Sequence, residues 1–277
     1  MKRNNIGMNL LLWGTDIGQN LFPVLEEIRS IGFDGVEIPI FNTEPEAWKP
    51  WKLKLDELGL QPVAVTINGP DFNQISSDAS QRIKTLERNK RAIDCASVLG
   101  SKLLTGPFHS ALGIFTGKPA TEQELVWAAE NLRALSEYAQ NQGIVLGLEY
   151  LNRFESYLVT CSEELIALLK RVDHPACKLM FDTFHANIEE KSLTQAIRSI
   201  APWLVHVQLS ENDRSTLGEG HINFKEIIST LKEINYNGML SIEAFSPKLS
   251  AANIWRKMFE SESKLMHNSF KHLQSLL

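Results

Sequence analysis

Short apolar runs and longer amphipathic stretches alternate along this whole chain, with no linker or low-complexity segment to divide them. The apolar runs predict strands over 6–12, 35–40, 61–67, 102–105, 145–149, 178–182, 204–209 and 239–243. Stretches such as LFPVLEEIRSI, EQELVWAAENLRALSEYAQNQ and FKEIISTLKEI lie between them. Their apolar residues recur at three- and four-residue spacing, as helices lying on a sheet require. A last helix is predicted from near Ala251 to the C-terminus. Gly32, Gly59, Gly100 and Gly143 each stand between a helix and the next strand, where a left-handed stop suits a residue without Cβ. Eight such units in 277 residues describe one (β/α)8 TIM barrel spanning 1–277. An open doubly wound sheet would share the local pattern; the strand count and the length favour the barrel.

Several function classes are excluded early. The net charge is −5 and no Lys/Arg block occurs, which argues against a nucleic-acid surface. No segment approaches the ~20 apolar residues of a membrane span. The N-terminus MKRNNIGMNLLLWG resembles a signal peptide at first glance, but its apolar run is broken by Gly7 and Asn9, so a first strand is the better reading. Cys95, Cys161 and Cys177 are odd in number and widely spaced, which points away from disulfides and structural zinc and toward a reducing cytoplasm.

In such a barrel, chemistry sits where strands end at the C-terminal face. The fifth predicted strand ends at Glu149 and the sixth at Asp182, with His185 just beyond. The seventh carries His206 and Gln208, and the eighth ends at Glu243. Singly, each has an ordinary explanation: Asp182 can cap a turn, and His206 can be a hydrogen-bonded core histidine. Together they are harder to dismiss, because carboxylates converging in a partly buried mouth repel one another unless a cation intervenes. Three carboxylates and an amide oxygen form a hard donor set suited to Mn2+ first, or Mg2+; the nearby His206 and His185 keep Co2+ and Zn2+ open.

The motifs LEYLNRFE, MFDTFHAN, HVQLSENDR with the following LGEGHINF, and SIEAF resemble those of the xylose-isomerase-like barrel superfamily. Within it they are most similar to the D-tagatose and D-psicose 3-epimerases. The resemblance spans the chain and is strongest in its second half. It implies that Glu149 and Glu243 both bind the metal and act as acid–base residues, and that Asp182 is a ligand. It also implies that Glu155, His185 and Arg214 contact the substrate. One position departs from the pattern. The epimerases carry a His-x-His pair in the seventh strand, whereas this chain has His206–Val207–Gln208. Hydroxypyruvate isomerase, on the same fold, resembles this chain there in using glutamine. Gln208 is therefore the expected fourth ligand and His206 the alternative.

The expected activity is a ketose 3-epimerase acting on a free sugar. The substrate's carbonyl and neighbouring hydroxyl would chelate the cation, and the glutamates would move a proton through an enediolate. Hydroxypyruvate-type isomerisation, an inosose isomerase or dehydratase, an endonuclease IV-like nuclease and a non-catalytic sugar-binding barrel are the competing readings. Trp13 and Phe108 are expected as an apolar wall, and Glu37 as a partner behind the site. Asn152 and Glu211 are pocket candidates, and His109 and His221 are placed in solvent or at the rim. The resemblance further implies a homodimer or homotetramer.

Overall fold

A computed structural model describes residues 4–277, so the basic residues at 2 and 3 lie outside the described residues. Eight parallel strands close into a barrel in chain order: β1 Ile6–Asn9, β2 Gly35–Pro39, β3 Gln61–Val65, β4 Leu103–Gly106, β5 Val145–Leu148, β6 Cys177–Asp182, β7 Leu204–Leu209 and β8 Leu240–Ile242. The surrounding helices are α1 Phe22–Ile31, α2 Lys49–Leu58, α3 Ala79–Leu99, α4 Glu122–Asn141, α5 Ser162–Val172, α6 Thr183–Glu189, α7 Leu193–Ile200, α8 Phe224–Glu233 and α9 Glu262–Leu276. Closure excludes the open sheet. Their apolar faces pack on the outer side of the strands, where Ile38, Leu104, Leu146, Phe181 and Leu209 are fully buried. Each such side chain contributes about 1.5–3 kcal/mol on leaving water. Among the described residues, no helix is long and apolar enough to cross a membrane.

Three local departures from the sequence pattern have identifiable causes. The run predicted as a strand to residue 12 stops at Asn9, because its Oδ1 accepts the Leu11 N–H at 2.8 Å and starts a 3-10 turn, Leu10–Trp13. The helix predicted from Ala251 is a short 3-10 turn, Ser250–Ala252, and α9 begins only after Ser261, whose Oγ accepts the Lys264 N–H at 3.2 Å. Helix α6 starts immediately at the end of β6, with Asp182 as its cap: Oδ1 accepts the Phe184 N–H at 2.9 Å.

A one-residue irregularity in β7 decides what faces the barrel interior. Leu179 pairs with Leu204, but the next residue, Met180, pairs with His206, so Val205 is an extra residue. Because strand side chains alternate, that insertion reverses the phase and turns His206 and Gln208 inward beside Asp182. At the opposite end, Met239 packs so closely that a Cβ on Gly7 or Gly35 would lie 2.5 Å from its sulfur or 2.3 Å from its methyl.

Gly106 ends β4 at φ +121°, and a Cβ there would stand 2.3 Å from the Thr66 carbonyl oxygen. Its own carbonyl accepts the Glu149 N–H at 3.1 Å. Gly106→Ala is expected to destabilise by about 3 kcal/mol, backbone strain and overpacking combined. That corresponds to a drop in Tm of roughly 10 °C. Thermal unfolding followed by circular dichroism checks it; an unchanged Tm would show that the strand edge can shift freely.

Candidate active site

A cavity of about 340 Å³ opens at the C-terminal ends of the strands. Its walls are uneven. Leu11, Phe41, Val65, Ile67, Pro107 and Leu112 line the side of β1 to β4, whereas Glu149, His185, Gln208, Arg214 and Glu243 gather on the side of β5 to β8. Glu155 also lines it and accepts from Asn152 Nδ2 at 2.8 Å. Trp13 is half-buried and packs against the core instead, and Phe108 is fully buried. Neither is among the cavity-lining residues, so Leu11 and Pro107 supply the apolar wall expected of them.

Ligand atoms of Glu149, Asp182 and His185 lie within 4.8 Å of one another. His185, expected as a substrate contact, thus stands within metal-ligating range. Its Nε2 is 3.5 Å from both Glu149 Oε1 and Asp182 Oδ2, and its Nδ1 accepts the Asn152 N–H at 3.0 Å. Glu243 joins this group through Arg214. Nη1 of that guanidinium donates to Asp182 Oδ2 at 2.8 Å and also to Glu243 Oε2, and Nη2 lies 3.0 Å from His185 Nε2. Arg214 is held between the rings of Phe184, 3.7 Å from its centroid, and Phe245, at 4.5 Å. Its φ of +62° is unusual for a side chain of this size; its N–H donates to Glu211 and its carbonyl accepts from Phe245, which hold that turn.

Burial governs the electrostatics. It holds the Glu149 carboxyl well above the usual range, and the charges of Asp182 and Glu243 push the same way. Burial also raises Glu243 well above that range and raises Asp182, in both cases against the opposing pull of Arg214. His185 is driven well below its ordinary value, by burial first and Arg214 second, which favours the neutral imidazole; with Nδ1 accepting from Asn152, the proton of that form sits on Nε2.

Beneath this floor lies a fully buried polar layer. Glu37 accepts from Asn9 Nδ2 at 2.6 Å and from Gln208 Nε2 at 2.8 Å through Oε2, and its Oε1 meets His206 Nε2. Asn9 Nδ2 also donates to Glu243 Oε1 at 3.0 Å. His206 is the hydrogen-bonded core histidine of the simpler reading, committed to Glu37 and not among the residues lining the cavity. Gln208 lines the cavity, and its Oε1 is buried without a hydrogen-bond partner. An orphaned amide oxygen beside three carboxylates and a neutral imidazole suits a divalent cation, which would supply what that oxygen lacks.

Besides Trp13 and Phe108, one residue escaped the sequence reading and another contradicts it. Asn9 gave no signal beyond interrupting an apolar run. His109, placed at the rim, is wholly buried; burial lowers its pKa to about 4, and its Nδ1 lies 3.0 Å from Ser110 Oγ. His221 is exposed as expected. Glu211 is buried beside the site and holds the following loop by accepting the Gly218 N–H at 3.0 Å.

Comparison with known proteins agrees with this geometry. The chain is 27% identical over 287 residues to the L-ribulose 3-epimerase of Methylomonas sp. (strain DH-1), covering 99% of this chain and 98% of that one. It is 28% identical over 268 residues to the ketose 3-epimerase of Arthrobacter globiformis, covering 94% and 92%. The structure of a D-allulose 3-epimerase from Methylomonas sp. in complex with D-allulose superposes with a TM-score of 0.92 at 27% identity, covering 100% of this chain and 98% of that one. Xylose isomerase-like TIM barrel is the family description that matches residues 25–266, and with its closed eight-stranded barrel the chain belongs to that family.

Proposed function

We propose that this protein is a divalent-cation-dependent ketose 3-epimerase acting on a free sugar. The observation that carries the reading is the placement of two buried glutamates around one cavity. Glu149 follows β5 and Glu243 follows β8, with β6 and β7 between them in the closed ring. Groups three strands apart in a ring of eight can address opposite faces of a bound carbon, which inversion requires. Glu149, Asp182, Gln208 and Glu243 would hold the cation, with His185 in reach. Mn2+ is proposed first because the donors are mostly hard oxygens. When bound, the cation would supply Lewis-acid stabilisation of the charge that develops on the ketose oxygens.

The chain's own groups account for the remaining steps. One glutamate takes the C3 proton, and the other returns a proton to the opposite face. Burial favours each group's protonated form, so either can act as the acid once its partner has acted as the base. Arg214 and Glu155 offer a donor and an acceptor to the sugar's oxygens. The apolar wall of Phe41, Val65 and Ile67 excludes water from the far side of the cavity. Arg214 is the only cation lining the cavity among the described residues, which supports an unphosphorylated substrate. The relatives named above are 3-epimerases of free ketoses, in keeping with this assignment. A cytoplasmic location with three free cysteines, and a homodimeric or homotetrameric assembly, complete the proposal.

Incubation of the Mn2+-loaded enzyme in D2O with D-fructose, D-tagatose, D-ribulose, D-xylulose and, separately, hydroxypyruvate tests it. The expected result is deuterium at C3 of at least one ketose, with the epimer appearing. Conversion of hydroxypyruvate to tartronate semialdehyde without exchange in any ketose would overturn the reading in favour of isomerisation.

A further inference from the structure

Gln208 faces a problem that a histidine or carboxylate ligand does not. An amide has two ends of similar shape, and only the oxygen can bind a cation. Turned the other way, its NH2 would confront Glu149, Asp182 and Glu243 without ligating anything. Some group must therefore select the productive orientation before a cation arrives.

We infer that Glu37 is a positioning residue that locks the Gln208 amide with its oxygen toward the site, and that the inward pair His206 and Asn9 holds Glu37 in place for this task. This rests on the proposed cation site. A carboxylate only accepts hydrogen bonds, so Glu37 Oε2, 2.8 Å from Gln208 Nε2, can engage the NH2 end and never the oxygen end. The carboxylate is itself pinned. Its Oε1 meets His206 Nε2, and its Oε2 also accepts from Asn9 Nδ2 at 2.6 Å. Asn9 cannot turn either, because its Oδ1 is occupied by the Leu11 N–H at 2.8 Å. Three donors from β1 and β7 thus converge on one fully buried acceptor in β2, and the outcome is the unpartnered Gln208 Oε1. Groups of this kind behind a metal ligand typically change affinity about 10–100-fold when altered.

Glu37→Gln has nearly the same shape but only one accepting oxygen for three donors. It is expected to weaken Mn2+ binding by about 10–100-fold, measured from the free Mn2+ signal in electron paramagnetic resonance titrations of the full chain. Folding is checked by circular dichroism. In a Gln208→Ala background the same substitution should change affinity by less than about threefold, because the amide it acts through is gone. The exchanged pair Glu37→Gln/Gln208→Glu again sets one donor against one carboxylate, and should regain at least about tenfold over Glu37→Gln alone. An undiminished effect of Glu37→Gln in the Gln208→Ala background, or no recovery in the exchanged pair, overturns the inference. Failure of the unaltered protein to bind one Mn2+ per chain would instead overturn the cation site itself.

Discussion

Glu243→Gln is expected to lower kcat by about 10²–10⁴-fold while the protein remains folded, since this is the range that positioned acid–base groups contribute. The side chain stands where a substrate-facing base is needed: it follows β8, lines the cavity and is fixed from both sides. Asn9 Nδ2 reaches Oε1 at 3.0 Å, and Arg214 Nη1 reaches Oε2. An amide keeps one oxygen for coordination but cannot take up the proton. It also places an NH2 against either Asn9 or Arg214, so a modest loss of cation affinity accompanies the loss of turnover. Steady-state kinetics with saturating Mn2+ separates the two, because added cation corrects affinity and not proton transfer. Near-normal kcat in the variant would remove Glu243 from the acid–base pair. Exchange of the C3 proton at the unaltered rate, with epimerisation abolished, would instead assign it to only one of the two faces.

Treatment with a chelator is expected to abolish turnover, and Mn2+ to stabilise the fold by an amount that grows with pH. Without a cation the folded protein binds protons on Glu149, Asp182 and Glu243 more tightly than an unfolded chain does, because burial raises all three. The stability those groups contribute is complete below about pH 4 and is lost as pH climbs through their raised folded values. A cation competes with those protons, so it gains most where they are most costly to retain. At a free concentration of about 100 times Kd the stabilisation is about 2.7 kcal/mol. That is a rise in Tm of roughly 5–10 °C for a chain of this length. The Tm difference between Mn2+-loaded and chelated protein should therefore be several degrees larger at pH 8 than at pH 5. A difference that shrinks as pH rises would mean that protonated carboxylates do not form the site.

Much of the architecture was legible in advance because period and punctuation are local. All eight strands appear where apolar runs meet helix stops, and Gly32, Gly59 and Gly100 close their helices at positive φ. The candidate residues at the ends of β5, β6, β7 and β8 could be chosen because strand ends carry function in such a barrel. Less accessible was any feature depending on which residue meets which across the interior. Asp182 is an example: it caps α6 through Oδ1 and accepts from Arg214, 32 positions further along, through Oδ2, and only the first of these contacts is local.

By itself, then, the sequence determined the repeating strand–helix order, the barrel it closes into, and the residue types brought to its mouth. Hydrophobic periodicity and glycine stops act over a few residues, and neither needs a distant partner. Resemblance favoured Gln208 over His206, but only the tertiary structure gave the two their different partners. Both lie on the same side of β7, and both types can ligate. The extra residue Val205 turns the pair inward. Glu37, 169 positions from His206 along the chain, then takes up that imidazole and the amide NH2, leaving the Gln208 oxygen unpartnered. The same closure buries His109 and packs Trp13 against the core. Burial and hydrogen-bond partnership belong to pairs of residues far apart in sequence, so they exist only once the ring has closed.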